Sequence, residues 1–460
     1  MNSGMLSYYM ERVQSVSVNV FRLSPQNSTT ATANQQIRFN LPSNALLNTR
    51  SLMLMFNATT AGNAARLPAN IASLIDRVEV LAGGVQISQG HNLYNVLLKA
   101  KEVLEGPKCD ATLSHPEIVR TVTYVDKQRY TGVVPETYSS ANGETQFGVA
   151  SFDGFLGTVE PGIVDTSLMP DLTVVFTLAG NEVLSSSAGV DLKGTGGSND
   201  FTAAPGTADA TFTLSNIRLN CEVIGLASQV YDAVLAKRIQ DVGWLELPFR
   251  QAQSFIDSHT GSTKFSVSCQ SLDKIWAVYR AAGYETQGPP LVVDGYKVAG
   301  AFASSGSGTF ETPTDVGKPE YDVGGILDTN SEKYIGKYFN FSRPTTGGTV
   351  SFQLQLNGSF FPQFQANTEE MYAISMNSVD RSYNPKMSLN QYITNHFVQC
   401  WRTSLPGGST RVLSGLDTRG INLAGSLNTT GITSGTNLVI FAEMTSSLRL
   451  GQNRSCEIIN

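Results

Sequence analysis

Charge is scarce in this sequence. Only 15% of its 460 residues are Asp, Glu, Lys or Arg, against about 25% in an ordinary soluble domain. The chain is nevertheless 41% hydrophobic, enough to build two or three packed cores, which excludes a disordered polymer. A large folded chain with so little charge is expected to bury much of its surface against copies of itself. Basic groups are fewer than acidic ones, 32 against 38, for a net charge of −6. Binding nucleic acid by displacing counterions needs clustered Lys and Arg. The first forty residues supply only Arg12, Arg22 and Arg38, so no basic arm is present. Lys99, Lys101 and Lys108 lie close enough in sequence to form a local patch.

Cysteine and histidine are sparse as well. The five cysteines, Cys109, Cys221, Cys269, Cys400 and Cys456, are odd in number and contain no CxxC pair, so a disulfide framework is not expected. Cys221 and Cys269 fall at apolar phases of strand-like segments and read as buried free thiols. His91, His115, His259 and His396 lack metal-ligand spacing. No apolar run approaches the ~20 residues that span a bilayer, and MNSGMLSYYMERVQ does not read as a secretory signal. The expectation is synthesis in a reducing cytosol. Phosphate-binding loops, dinucleotide fingerprints, zinc-protease helices and nucleophile elbows are all missing. The sequence thus offers no catalytic, cofactor-binding or metal-binding residues and predicts neither a cofactor nor an enzyme. Glu369-Glu370 read as the acidic start of a helix rather than a catalytic pair. Tyr338-Phe339-Asn340-Phe341 and Phe360-Phe361-Pro362 read as sandwich core and edge rather than as stacking platforms for sugars or bases.

What is abundant is period-two alternation, the mark of strands with one buried face. It runs through Val16, Val18 and Val20; Ile37, Phe39 and Leu41; Val78 and Val80, with a Gly83-Gly84 hairpin before Val85-Gln86-Ile87; and Leu172 to Leu178. RSLMLMF at 50–56 is continuous and reads as buried on both faces. The second half repeats the theme at Leu245 to Phe249, Phe265 to Cys269, Val350 to Leu356 and Leu438 to Met444. Each half carries enough strands for an eight-stranded jelly roll. Two segments, FTLSNIRLNCEVI (212–224) and SLRLGQNRSCEII (447–459), share a Cys-Glu-aliphatic-Ile ending, which suggests a duplication with Cys221 and Cys456 as equivalents. Helices are predicted over 92–104, 226–240 and 387–397, the last in a place comparable to the first. Long Gly/Ser/Thr-rich stretches at 131–168, 181–210 and 285–330 read as projecting loops. The predicted fold is all-β: two tandem eight-stranded jelly-roll sandwiches with a few short helices and long surface loops. The expected division is an N-terminal arm (1–14), a first jelly roll (15–225), a helical connector (226–242) and a second jelly roll (243–460).

Several segments resemble the double jelly-roll major capsid proteins of tailless icosahedral DNA viruses, especially the polinton-like and virophage-type branch. They are the segment 212–224 with its following helix, SLIDRVEVLAGGVQI, and the C-terminal Ser414-Gly415-Leu416-Asp417-Thr418-Arg419-Gly420, which leads to TNLVIFAE and RSCEII. The resemblance implies a structural protein of the virion, made and assembled inside the host cell. It implies a homotrimer whose six jelly rolls outline a pseudo-hexagonal capsomer. Neighbouring capsomers and minor capsid or penton proteins would be its partners. The arm at 1–14 would clamp a neighbour or touch an internal membrane, with no sequence-specific nucleic-acid contact. A β-sandwich carbohydrate-active enzyme or lectin is the rival class.

Overall fold

The computed structural model describes residues 16–61, 67–68, 71–88, 92–105, 146–150, 152–184, 210–226, 237, 239–280, 283–287, 291–292, 334–344, 349–379, 389–406, 412–419, 423–432, 436–451 and 454–460. The expected arm at 1–14 lies outside these residues, as do most of the predicted connector, Cys109 and Lys108.

In the first half the strands are β1 (Val16–Leu23), β2 (Ala31–Thr32), β3 (Gln36–Asn40), β4 (Leu46–Ala61), β5 (Ile75–Ala82), β6 (Val85–Ser88), β7 (Gln146–Val149), β8 (Ile163–Asp165), β9 (Leu172–Leu178) and β10 (Thr211–Leu226). In the second half they are β11 (Trp244–His259), β12 (Ser262–Val267), β13 (Leu272–Arg280), β14 (Leu291–Val292), β15 (Tyr334–Ile335), β16 (Ser351–Leu356), β17 (Ser359–Ala366), β18 (Val398–Arg402), β19 (Leu423–Thr430), β20 (Thr436–Gly451) and β21 (Cys456–Ile459). The first half pairs β1-β10-β4-β7 in one sheet and β3-β9-β5-β6 in the other; the second pairs β11-β20-β13-β18 and β12-β19-β16-β17. Numbering the eight main strands of each half in chain order, both halves read 1-8-3-6 and 2-7-4-5. That shared order is the jelly roll, written twice. β2, β8 and β21 are additions to the first kind of sheet, and β14 with β15 form a separate ribbon.

The alternating residues supply the two cores. Ile37, Phe39, Val174 and Phe176 line one sheet of the first sandwich, facing Leu54, Phe56, Leu214 and Leu219 of the other, all buried. Phe39 meets Phe176 edge-on at 6.1 Å. In the second sandwich Tyr279, Phe352 and Phe397 pack around one another at 5.3 to 6.0 Å. The Gly83-Gly84 hairpin is as expected: both residues take positive φ, +55° and +85°, which a two-residue turn of this hand requires.

Helices α1 (Tyr94–Glu105), α2 (Phe155–Thr158), α3 (Thr368–Ser378) and α4 (Leu389–Thr394) join the strands. α1 lies between the fifth and sixth main strands of its half, and α3 and α4 between the same strands of theirs. The helix expected over 387–397 is described from Leu389 and ends at Thr394, because its last residues feed β18; α3 precedes it on the same connection. At the start of α3, Asn367 Oδ1 accepts from the Glu370 N–H at 2.8 Å, and Glu370 reaches back to the Asn367 N–H at 2.8 Å. Glu369 and Glu370 are therefore capping and first-turn residues. Of the connector, Lys237 and residues 239–242 are described and helical. They end where the Gly243 N–H donates to Ile239 O at 2.8 Å, with Gly243 at φ +88°.

Four expectations need correction. Val18 and Val20 are not buried but 55% and 72% exposed, because β1 is an edge strand of its sheet and no described element covers its outer face. The run 50–56 is not buried on both faces: Leu52, Leu54 and Phe56 point inward, while Met53 and Met55 stay half-buried on the outer face. The Cys-Glu echo does not mark equivalent positions. Cys221 lies in β10 opposite Phe21, the sixth residue of β1, whereas the sixth residue of β11, Phe249, faces Ser446. Cys456 instead opens β21, an extra strand paired with the end of β20. The duplication is one of topology, and a four-residue echo with three matching letters happened to fall at different points of it. Finally, part of the loop predicted over 131–168 joins a sheet, since β7 and β8 both pair with β4.

Candidate functional site: the joint between the two sandwiches

The densest concentration of buried charge lies where the first sandwich meets the second. α1 turns Val96, Leu97, Ala100, Val103 and Leu104 into its own half, the face its spacing predicts. From the helix, Lys101 reaches toward the other sandwich. Its Nζ lies 2.7 Å from Asp153 Oδ2 and 3.1 Å from Glu443 Oε1 in β20. The second oxygen of Glu443 accepts from Trp276 Nε1 at 3.0 Å. Glu105, at the end of α1, lies 3.7 Å from Lys274 Nζ in β13. Tyr94 OH fixes Asp153 by accepting its backbone N–H at 2.8 Å.

These charges are buried and mutually compensated. Burial opposes the Lys101 ammonium, but Asp153, Glu443 and Glu105 outweigh it and raise its pKa above the ordinary lysine range. Burial likewise opposes the Glu443 carboxylate, yet Lys101, Lys274, Arg250 and the Trp276 hydrogen bond hold its pKa well below the usual range. Both groups therefore stay ionised. Apolar and backbone contacts continue the joint. Phe155 of α2 meets Phe249 of β11 edge-on at 5.3 Å, the Glu160 N–H donates to Pro248 O at 3.0 Å, and the Arg250 N–H donates to Thr158 Oγ1 at 2.8 Å. Gln287 of the second half clasps the first: its Nε2 donates to Asn181 O and Ala210 O, both at 2.7 Å. A cavity of about 20 Å³ lies beside Lys101, Asp153, Arg250 and Glu443. It has room for one water and none for a sugar ring or a nucleobase.

The joint covers the outer face of the β11-β20-β13-β18 sheet. β13 is buried along its whole length, and so is the run Leu438–Leu448 within β20. Apart from Lys101, which was read as part of a possible basic patch, these charged residues were not singled out in the sequence. A signal existed: Lys274 interrupts the apolar strand LDKIWAVYR and Glu443 interrupts NLVIFAEM. Charges inside strands hydrophobic on both faces call for partners from another layer.

The residues the sequence did single out are structural. Lys99 pairs with Glu102 at 3.3 Å and Lys101 is consumed by the joint, so the suspected basic patch does not form among the described residues. His259 is buried; its Nδ1 meets Thr263 Oγ1 at 2.7 Å, and that hydroxyl donates to Asp257. Burial pushes the His396 imidazole down to about 4, assisted by nearby Lys99. No group of three or more metal-ligating side chains occurs among the described residues. None of their helices is long and apolar enough to cross a membrane. Cys221, Cys269 and Cys400 are buried free thiols, with burial raising Cys221 to about 11. Tyr338, Phe339 and Phe341 are core, whereas Phe360 and Phe364 stand exposed on β17.

The segment Ser414–Arg419 lies along the turn between β12 and β13. Leu416 and Leu272 exchange backbone hydrogen bonds at 2.9 and 3.0 Å, and Thr418 bonds Cys269 through both its N–H and its hydroxyl. Gly415 is required there, because a Cβ would strike Leu272 O and the Ser271 and Asp273 side chains.

No family model matches the chain, and no curated protein matches it in sequence. Solved structures do match in three dimensions. The Faustovirus major capsid protein superposes with a TM-score of 0.55 at 9% identity, over 97% of this chain and 92% of that one. A chain of the PBCV-1 virus capsid superposes with a TM-score of 0.54 at 14% identity, over 99% of each. From its strand order and this end-to-end likeness, the chain has the double jelly-roll fold of those capsid proteins.

Proposed function

We propose that this chain is a major capsid protein that self-assembles as trimeric, pseudo-hexameric capsomers into an icosahedral virion shell. The observation that carries the reading is the repeated 1-8-3-6 and 2-7-4-5 strand order, in two sandwiches that meet through buried ion pairs. Two like sandwiches per chain give three chains a six-sided outline, the shape that tiles a flat facet. The likeness to the Faustovirus and PBCV-1 capsid structures spans both halves, which supports an arrangement using both.

Within this reading, residues 15–225 and 243–460 are the two jelly rolls, 226–242 the connector and 1–14 an arm toward a neighbouring capsomer or an internal membrane. Minor capsid and penton proteins fill the positions that trimers leave open. The protein resides in the virion after assembly in the host cell and catalyses no reaction. Its net charge of −6 and the pairing of Lys99 and Lys101 with carboxylates favour no direct grip on the genome. The carbohydrate-active enzyme or lectin finds no support: the cavity at the joint admits one water, and no carboxylate pair faces open space there.

Light scattering on the full-length protein after size-exclusion chromatography tests this. A mass of three 49.5 kDa chains is expected. A glycan-binding monomer would refute it.

A further inference from the structure

The joint carries a group whose charge can change within the ordinary range of pH. His396 stands between α4 and β18, where the chain enters the strand that α1 packs against. Its backbone is pinned on both sides. The Phe341 N–H donates to Asn395 O at 3.1 Å and the Phe397 N–H to Phe341 O at 2.8 Å, while Asn395 Nδ2 donates to Asn340 Oδ1 at 2.9 Å. The residue is only partly buried, yet its ring Nδ1 is out of contact with water. The charged groups around it are already engaged. From α1 come Lys99 and Glu102, paired with each other at 3.3 Å, and Lys101 and Glu105, paired with Asp153, Glu443 and Lys274. β18 brings Arg402, whose Nε donates to Ser378 O at 2.8 Å. The stretch 339–343 brings Arg343, whose Nη1 donates to Thr368 Oγ1 at 3.5 Å. α4 has no charged residue. Burial and Lys99 oppose a charged ring, Glu102 and the Asn395 carbonyl favour it, and the opposition prevails.

We infer that the joint is an acid-released contact: a proton on His396 drives α1 of the first sandwich off β18 of the second while both cores stay folded. Opening returns water to the ring and takes it away from Lys99, the two things that oppose its charge in the closed joint. A histidine held below its ordinary pKa stabilises the closed state at neutral pH, and that stability is lost as pH falls. With the ring at about 4 when closed and near 6.5 when open, going from pH 7.5 to 5 should favour opening about thirtyfold. Glu443 stays ionised at pH 5, so its pairing with Lys101 persists there and the change belongs to His396. The two sandwiches are in one chain, so the release does not depend on the trimeric reading.

Hydrogen exchange of the full-length protein tests this, at one protein concentration and with exchange times scaled to the intrinsic rate at each pH. Peptides from α1 and β18 should lose about thirtyfold in protection between pH 7.5 and 5. Those from β9, in the core of the first sandwich, should lose none. His396→Gln should abolish the loss. Should that variant not fold, Lys99→Gln serves instead. It removes the opposing ammonium and leaves Glu102 to the ring, so the closed joint accepts the proton more readily and the loss should shrink. Protection of α1 and β18 that follows β9 at both pH values overturns the inference. So does a loss that survives in folded His396→Gln, or one that Lys99→Gln leaves unchanged.

Discussion

Removing the Lys101 ammonium should be among the most damaging single changes available to this fold. Lys101→Met keeps most of the side-chain volume but takes from Asp153 and Glu443 the ammonium they share, and their side chains are only 10% and 6% exposed. Breaking a buried pair by deleting one partner costs about 3–5 kcal/mol, a large fraction of the roughly 5–15 kcal/mol that holds a domain folded. At about 2–4 °C per kcal/mol for domains of 150–250 residues, thermal unfolding should fall by roughly 6–20 °C. Adding Glu443→Gln removes one of the two carboxylates that Lys101 neutralised and should recover part of the loss, with a coupling of about 0.5–3 kcal/mol. Glu102→Gln, which breaks the more exposed pair with Lys99 on the same helix, should cost about 0.5 kcal/mol or less. Because the Glu443 pKa is depressed, its contribution is complete above the unfolded value near 4.3 and fades as pH falls below it. Because the Lys101 pKa is raised, its contribution is complete below about 10.4 and fades at higher pH. The penalty should thus be flat across neutral pH. Calorimetry showing Lys101→Met within about 1 kcal/mol of wild type would refute the account of the joint.

Three other outcomes follow from individual residues. His396 stays neutral in the folded chain down to about 4, so stability should fall as pH drops from about 6.5 toward that value; His396→Gln should flatten this limb of a denaturation-versus-pH curve. Gly415→Ala should destabilise the second sandwich by about 1–3 kcal/mol, since its methyl group meets the Leu272 carbonyl, as chemical denaturation would reveal. Asn367→Ala removes the cap of α3 and should cost about 1 kcal/mol in the same assay.

The inner faces of both sandwiches were legible in the sequence, because period-two alternation reports a strand with one side buried. Ile37-Phe39, Leu172 to Leu178 and Phe352 to Leu356 all point inward as read. Alternation does not report whether the other side is covered. That is why Val18 and Val20 were expected inside, and why β13 and β20, not β4, proved to be the strands buried on both faces. Tertiary contact decides this, and a strand's own residues record it only indirectly, through misfits such as Lys274 and Glu443. The joint combines residues more than 300 positions apart, Lys101 and Glu443, so no local pattern could assemble it. The Cys-Glu echo misled because a short string carries no register, whereas strand order does.

The most direct test of the central claim is single-particle electron microscopy of the purified full-length protein. The account predicts three-fold particles with a hexagonal outline, in which six sandwiches alternate around the ring. Particles of one chain, or a closed assembly without three-fold symmetry, would contradict it.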